Sequence, residues 1–138
     1  MAGSKTDYIE NEVAKLLTGQ ASIFGTAWVG YLGLLTASPG ETAPGTAGEV
    51  ASGVGYSRQA VTSFFGAPSG GTVVNTGTIN FGTSTGAWGT VSHVGYYMPS
   101  TGGTCWWYAD LTTPVAITSA GVSFQFDPTT NTVTLVES

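Results

Sequence analysis

One short motif in this chain has the spacing of a catalytic nucleophile site. The residues Gly82-Thr83-Ser84-Thr85-Gly86 match the G-x-S-x-G pattern of a nucleophile elbow, which places the serine on a tight turn between a strand and a helix. The residues after it, 87–91, have the composition of a turn and a strand. In addition, His93 precedes Asp110, although the hydrolase fold with this elbow needs the reverse order. We therefore interpret the match as chance in a segment rich in Gly and Thr.

His93 is the only histidine, so a catalytic triad or a metal site would have to be built around it. The acids that could complete such a site are Asp110 and Glu49. Its segment has the alternation of a strand in which His93 shares a face with Val91 and Tyr97. This pattern predicts a hydrogen-bonded, partly buried histidine with a structural role.

The other reactive groups also lack the neighbours that catalysis needs. Cys105 is the single cysteine, which excludes an internal disulfide and a multi-cysteine zinc site. No cation lies beside it to activate the thiol. Glu41 and Glu49 share one loop, which offers no rigid scaffold for paired-carboxylate hydrolysis, so we expect solvated charges. The sequence predicts no enzymatic activity, with no catalytic, metal-binding or cofactor-binding residues.

Aromatic residues are concentrated in one predicted strand, 104–111. Trp106 and Tyr108 share one face of it, and Trp107 and Leu111 share the other. One face is expected to belong to the core. The other could be a subunit interface or a platform for glycans, since aromatic rings are enriched at interfaces and also suit sugar rings. The scarcity of polar side chains that would hold hydroxyl groups favours the interface.

Low charge is the most unusual property of the composition. Only 8% of the residues are charged, with three Lys and Arg against eight Asp and Glu for a net charge of −5, whereas an ordinary domain has about 25% charged residues. A neutral surface of this kind is typical of a protein in permanent contact with neighbours. The chain lacks the clustered cations that nucleic acids or anionic membranes require. It also lacks an apolar run long enough for a spanning helix, and residues 1–15 do not resemble a signal peptide.

The N-terminal residues 1–20 are predicted to form a separate helical arm. Asp7 and Glu10 have the spacing of a capping box, and Gly19 can end the helix. The helix carries an apolar stripe that must rest on the sheet or on a neighbouring subunit. The stripe consists of Ile9, Val13, Leu16 and Leu17.

Residues 21–138 are predicted to form one β-domain, because short strands alternate with Gly and Pro turns and no helix separates them. The predicted fold is an all-β, antiparallel two-sheet β-sandwich of jelly-roll type, because no helix lies between the strands to connect them in parallel. The predicted strands cover residues 27–36, 56–65, 72–75, 78–81, 90–98, 104–111, 115–117, 122–126 and 132–136. Residues 37–55 are predicted to form a long loop, and loops of this length are usually functional or ordered by a partner.

Arg58 is the only cation beyond the helix, and it lies at the start of a predicted strand. Two roles are open for it. It could form a salt bridge with Glu49 or Asp110 inside the chain, or it could make a contact across a subunit boundary.

The order of motifs resembles a family of small virion proteins of tailed phages, often labelled tail fibre proteins and similar to jelly-roll cement proteins of capsids. The resemblance covers nearly the whole chain, and its motifs are features of strands and turns. After a short amphipathic helix they are Tyr31-Leu32-Gly33-Leu34-Leu35-Thr36-Ala37, Glu49-Val50, Tyr56-Ser57-Arg58-Gln59-Ala60-Val61, Gly86-Ala87-Trp88-Gly89-Thr90-Val91-Ser92-His93-Val94-Gly95, Thr101-Gly102-Gly103 and Leu111-Thr112-Thr113-Pro114.

This resemblance implies a structural role in the virion. As a cement protein, the chain would be made in the host bacterial cytoplasm, form homotrimers and bind the major capsid protein on the outer capsid surface. The alternative is a tail fibre or baseplate module that contacts host glycans. The residues predicted for an interface are Ile9, Val13, Leu16, Leu17, Glu41, Glu49, Arg58, Trp106 and Tyr108.

Overall fold

The computed structural model describes residues 7–21, 29–40 and 45–136. These residues form one helix, α1 (Asp7–Leu17), and eight strands: β1 (Tyr31–Leu35), β2 (Gln59–Ala60), β3 (Thr72–Val74), β4 (Ile79–Thr83), β5 (Gly89–Tyr97), β6 (Cys105–Ile117), β7 (Ser123–Phe126) and β8 (Thr134–Val136). The sheets are antiparallel. The predicted all-β class with one short helix is confirmed, and these sheets are consistent with a two-sheet sandwich. Within the described residues, no helix has the length and apolar character needed to cross a bilayer.

The strands and the helix group into two compact units. The first contains α1, β3 and β8. The second contains a four-stranded sheet in the order β2-β1-β5-β6, together with most of the β4-β7 pair. The boundary near residue 20, predicted to separate an arm from one β-domain, stays a prediction.

Helix α1 begins at Asp7 and ends in the way the sequence predicts. Gly19 adopts a φ of 71°, which glycine reaches without a steric penalty. Its N–H donates to the carbonyl of Leu16 over 3.3 Å, and the N–H of Gln20 donates to that of Lys15 over 2.8 Å. These two bonds form a Schellman motif, which satisfies carbonyl groups at the helix end. The side chains of the predicted capping box lie outside the described residues.

The most buried face of α1 differs from the predicted stripe. Ala14 and Thr18 are 2% and 1% exposed, whereas the stripe residues Val13, Leu16 and Leu17 are only half-buried. The helix packs on β3, and the N–H of Gly71 donates to the Oδ1 atom of Asn11 over 2.9 Å. The helix therefore rests on a strand of its own unit. The side chain of Ile9 lies outside the described residues.

Strand β1 occupies an interior position in the second unit. It pairs with β2 on one side and β5 on the other, and Leu32, Leu34 and Leu35 are fully buried. The strand predicted at residues 27–36 is thus present as β1, although it begins at Tyr31 and ends at Leu35. Residues 22–28, which include Trp28, lie outside the described part of the chain.

The prediction of separate strands at 104–111 and 115–117 is wrong, because β6 is one strand of 13 residues. Pro114 lies inside it. Within the described residues β6 pairs only with β5, and a proline is tolerated in an edge strand because no ladder hydrogen bond has to be made there. The register shifts between Val91 and His93, which accommodates extra residues of β6. Pro114 therefore does not end the strand, which continues to Ile117.

Two glycines paired across β1 and β5 make room for a large buried ring. Gly33 lies directly opposite Gly95. A Cβ atom on Gly95 would lie 2.9 Å from the ring of Tyr97 and 3.0 Å from the Sγ atom of Cys105. One on Gly33 would lie 2.9 Å from the hydroxyl of Tyr56. The close approach of these aromatic side chains to the sheet explains the choice of glycine at both positions.

Candidate interaction surface

Arg58 forms the salt bridge with Glu49 that was one of its two predicted roles. Its Nε and Nη2 atoms donate to the two carboxylate oxygens of Glu49, each over 2.7 Å. Its Nη1 atom donates to the backbone carbonyls of Pro99 and Gly102 over 2.9 and 2.8 Å. Arg58 is only 7% exposed and the Glu49 side chain 12%, so this bidentate pair belongs to the interior of the second unit. The prediction that Glu49 is a solvated loop charge is therefore wrong. The additional role of Glu49 and Arg58 at a subunit interface stays a prediction.

Two tyrosines complete the environment of this ion pair. The guanidinium carbon of Arg58 lies 3.5 Å from the centre of the Tyr97 ring, a cation–π contact. The Tyr56 hydroxyl donates to Glu49 Oε1 over 2.9 Å and accepts the N–H of Leu34 over 3.0 Å. Burial raises the pKa of the Tyr56 phenol well above its ordinary value, and the nearby Glu49 charge adds to this effect. The phenol therefore stays a neutral hydrogen-bond donor.

The second half of the predicted 37–55 loop is fixed to β1 by backbone hydrogen bonds. Thr36 donates its N–H to the carbonyl of Gly48 over 2.7 Å, and Val50 donates to that of Leu34 over 3.0 Å. These bonds place Glu49 opposite Leu35 in an isolated β-bridge. The loop is thereby ordered around the Arg58 pair. The predicted interface residue Glu41 lies outside the described residues.

A surface groove of about 490 Å³ lies over this ion pair. Five of its ten lining residues are Ser or Thr. The lining residues are Thr46, Glu49, Val50, Ser52, Tyr56, Ser57, Arg58, Ser100, Thr101 and Gly102.

A second groove, of about 560 Å³, runs along β6 and includes both aromatic residues predicted for an interaction surface. Gly40 and residues 105–110 line it. The side chain of Trp106 is 52% exposed, whereas Tyr108 is half-buried and packs against Leu35 and its buried neighbours. The register shift at this end of β6 inserts Trp106 as an extra residue, and such bulges re-aim side chains. The structure therefore brings Trp106 and Tyr108 into one groove.

Asp110, one of the two acids named as a possible partner of His93, lines this groove and contacts His93. The His93 Nε2 atom lies 2.8 Å from Asp110 Oδ1, and His93 Nδ1 lies 2.7 Å from the hydroxyl oxygen of Ser92. When Nε2–H donates to the carboxylate, Nδ1 accepts a hydrogen bond from the Ser92 hydroxyl. The predicted hydrogen-bonded, partly buried histidine is confirmed, since its side chain is 17% exposed. The Asp110 side chain is 82% exposed.

Ser84 and Cys105 have structural surroundings. The Ser84 hydroxyl donates to the Ser119 carbonyl over 2.8 Å and accepts the N–H of Val122 over 3.0 Å. Strand β5 follows this segment, whereas a nucleophile elbow needs a helix. Cys105 is buried, its Sγ atom donates to the Trp107 carbonyl over 3.1 Å, and burial raises the pKa of its thiol. Within residues 7–21, 29–40 and 45–136, no three His, Cys, Asp or Glu side chains cluster as metal ligands would.

The family model described as podophage GP4 fiber I protein gp80 matches residues 4–134. The chain belongs to this family. No curated protein matches it at a significant level. Membership identifies the chain as a structural protein of a phage particle, in agreement with the resemblance found from its strand and turn motifs. The narrower expectation of a capsid cement protein goes beyond what the family match supports.

The grouping of residues at the two grooves was only partly visible in the sequence. The pairs Glu49–Arg58 and His93–Asp110 could be named because ionisable groups are so few. Gly40 was not associated with the Trp106 groove, and Tyr97 was not associated with Arg58. Both associations connect positions far apart in the chain, and no spacing signal links them.

Proposed function

We propose that the protein is a subunit of a podophage fibre and is held in the particle by burying neutral surface against neighbouring subunits. The composition carries this proposal, because only 8% of the residues are charged. Neutral surface can be removed from water without the large desolvation cost of charged groups. The family description, which names a fibre protein, favours this position in the particle.

The ion pairs of the described residues support the same mechanism. Arg58 is paired with Glu49 inside the chain, and Lys15 is paired with Glu12 one helical turn away. Their charges are therefore already balanced within the chain. Contact with a neighbour would rest on apolar burial and neutral hydrogen bonds, as in the cores of permanent interfaces.

The second candidate is a capsid cement protein, which would sit as a homotrimer on the outer capsid and bridge major capsid subunits. The observation in its favour is the antiparallel β-architecture, which suits the jelly-roll cement proteins that the sequence resembles. Neither position requires a catalytic group, a metal or a cofactor. Both positions imply partners that include further copies of the chain.

The copy number of the protein in purified particles separates the two positions. In a quantitative gel, a cement protein is expected at an abundance comparable with that of the major capsid protein. A fibre subunit is expected at a small fraction of that abundance. Absence of the protein from purified particles would overturn the whole proposal. Hydrolysis of esters or glycans by the purified protein would contradict a purely structural role.

A further inference from the structure

We propose that a second copy of the chain covers the groove along β6, and that this contact takes up a proton on His93 as it forms. The contact is then tighter in mild acid than in mild alkali. This inference rests on the proposed packing function and adds to it a surface and a dependence on pH. Its basis is an exposed carboxylate that lines an aromatic groove beside the only histidine of the chain.

The aromatic part of the groove has the properties of an interface core. Trp106 is 52% exposed, and the half-buried Tyr108 is held in place by packing against Leu35 and its buried neighbours. Trp and Tyr often dominate the binding energy of protein interfaces, because their rigid rings bury a large area at a low cost in conformational entropy. The groove therefore offers an anchor to a neighbouring subunit.

A second copy of the chain matches the low charge of this groove. Only 8% of the residues are charged, and both cations whose side chains are described, Lys15 and Arg58, are paired with acids of their own chain. A second copy therefore brings a largely neutral surface, which can include exposed apolar side chains such as Val29 and Val74. Such a surface suits the aromatic rings, but its described residues supply no cation for Asp110. The carboxylate has to be neutralised within the groove itself.

His93 neutralises Asp110 when it is protonated. Its Nε2 atom lies 2.8 Å from Asp110 Oδ1, and the pair has no net charge once both ring nitrogens carry a proton. Nδ1 then donates to the Ser92 hydroxyl oxygen, 2.7 Å away, so both nitrogens keep their partners in either charge state. The Asp110 side chain is 82% exposed, and covering it with neutral protein is costly unless a cation pairs with it. Formation of the contact therefore favours the protonated imidazole.

The other ionisable groups on this face of the sheet do not change charge in the same pH range. Cross-strand pairs share a face, and the pairs of β1, β5 and β6 and the bridge at Leu35 place there the side chains of Tyr31, Tyr97, Cys105, Tyr108, Asp110 and Glu49. Phenols and thiols ordinarily ionise above about pH 8, and burial raises the pKa of Tyr97 and Cys105. Glu49 is paired with Arg58. Among the described residues of this face, His93 is therefore the group whose charge changes between about pH 6 and 8.

Self-association of the full-length protein tests the proposal. Sedimentation velocity is recorded at constant ionic strength at about pH 6 and about pH 8, which bracket the ordinary pKa of histidine. The parent should associate about tenfold or more tightly at the lower pH, because uptake of one proton changes an association constant by up to about tenfold per pH unit. Trp106→Ala should lose the association at both pH values. Circular dichroism confirms that each variant is folded.

Substitutions of the two paired residues should act in opposite directions. His93→Gln can still donate to Asp110 but carries no charge, so association should be weak at both pH values. Asp110→Asn removes the carboxylate that needs a cation, so association should already be strong at about pH 8 and should not increase in acid. Asp127→Asn is the matched control, because it removes the same charge from the other unit, and it should keep the pH dependence of the parent.

Equal association of the parent at both pH values would overturn the uptake of a proton, and so would a pH dependence that His93→Gln retains. The packing function would stand in both cases. A parent that stays monomeric would overturn the second copy as the occupant. If Trp106→Ala is then missing from purified particles, a different protein covers the groove, and the packing function again stands. A monomeric parent that is itself absent from particles would remove both the contact and the packing function.

Discussion

Arg58 is the only arginine in the chain, and its structural role is central to the second unit. The sequence contains only three Lys and Arg, yet this one is 7% exposed and donates to Glu49 and to two backbone carbonyls. These bonds connect the 37–55 loop and the turn after β5 to the base of β2. The ion pair therefore acts as a structural connection among segments that have little regular secondary structure.

Glu49→Gln should destabilise the protein strongly. The amide keeps the shape of the side chain but leaves the buried Arg58 guanidinium without a counter-ion, a change that typically costs about 3–5 kcal/mol. Urea unfolding at neutral pH measures the effect. Asp110→Asn is the matched control, since its carboxylate is 82% exposed and an exposed pair contributes less than about 1 kcal/mol. Equal losses in the two variants would show that the buried pair has no special role.

The buried tyrosines should make the protein sensitive to alkali. Burial raises the pKa of Tyr56 and Tyr97 above its ordinary value and that of Tyr96 to about 12. In the unfolded chain these phenols have a pKa of about 10. Their contribution to stability is therefore fully present below about pH 10 and is lost as the pH rises from there towards the folded values.

Tyr96→Phe tests this assignment. The Tyr96 hydroxyl donates to the Met98 sulfur over 3.7 Å, a weak hydrogen bond, so the change should be mild at neutral pH. The unfolding free energy of the variant should fall less steeply between about pH 10 and 12 than that of the parent, because one fewer proton is released on unfolding. Urea titrations across this range measure the slope. Parallel curves for the two proteins would rule out Tyr96 as a contributor.

At the scale of the elements, Gly95→Ala should disturb the contact between β5 and β6. Its Cβ atom would meet the ring of Tyr97 at 2.9 Å and the sulfur of Cys105 at 3.0 Å, and both side chains are buried. Overpacking of this kind typically costs about 1–3 kcal/mol. Thermal and urea unfolding measure the loss. Gly45→Ala is the control, because a Cβ atom there would have no neighbour within 4 Å; a similar loss in both variants would contradict the packing explanation.

Elements set by residues close together in the sequence were predicted more accurately than elements set by distant pairing partners. Helix α1 was predictable because its end is set locally at Gly19, and the strand class followed from alternation and turn residues. The extent of β6 was not predictable, because a proline disrupts a central strand but is tolerated in an edge strand. The sequence alone does not show which kind of strand contains Pro114. The grooves depend on sheet register and on a bulge at Trp106, and these features are set by pairing partners that a single strand sequence does not reveal.

At the scale of the whole molecule, scarcity of charge is the property that connects sequence, structure and proposed function. Charged side chains usually keep a free protein soluble and prevent random association. Here the described cations are paired within the chain, and many of the exposed residues are Ser, Thr or Gly. Such a surface is well suited to a permanent place among other subunits.

This low charge predicts that incorporation in the particle resists salt. Screening lengths fall from about 8 Å at physiological ionic strength to about 3 Å at 1 M, so contacts that depend on exposed ion pairs weaken in concentrated NaCl. Apolar burial does not weaken in this way. Purified particles washed in 1 M NaCl should therefore keep their full complement of the protein, whereas urea, which solvates apolar and peptide groups, should release it. A gel of the washed particles and of the released fraction measures both effects. Release in proportion to the NaCl concentration would mean that charge on the partner, and not neutral surface, holds the subunit in place.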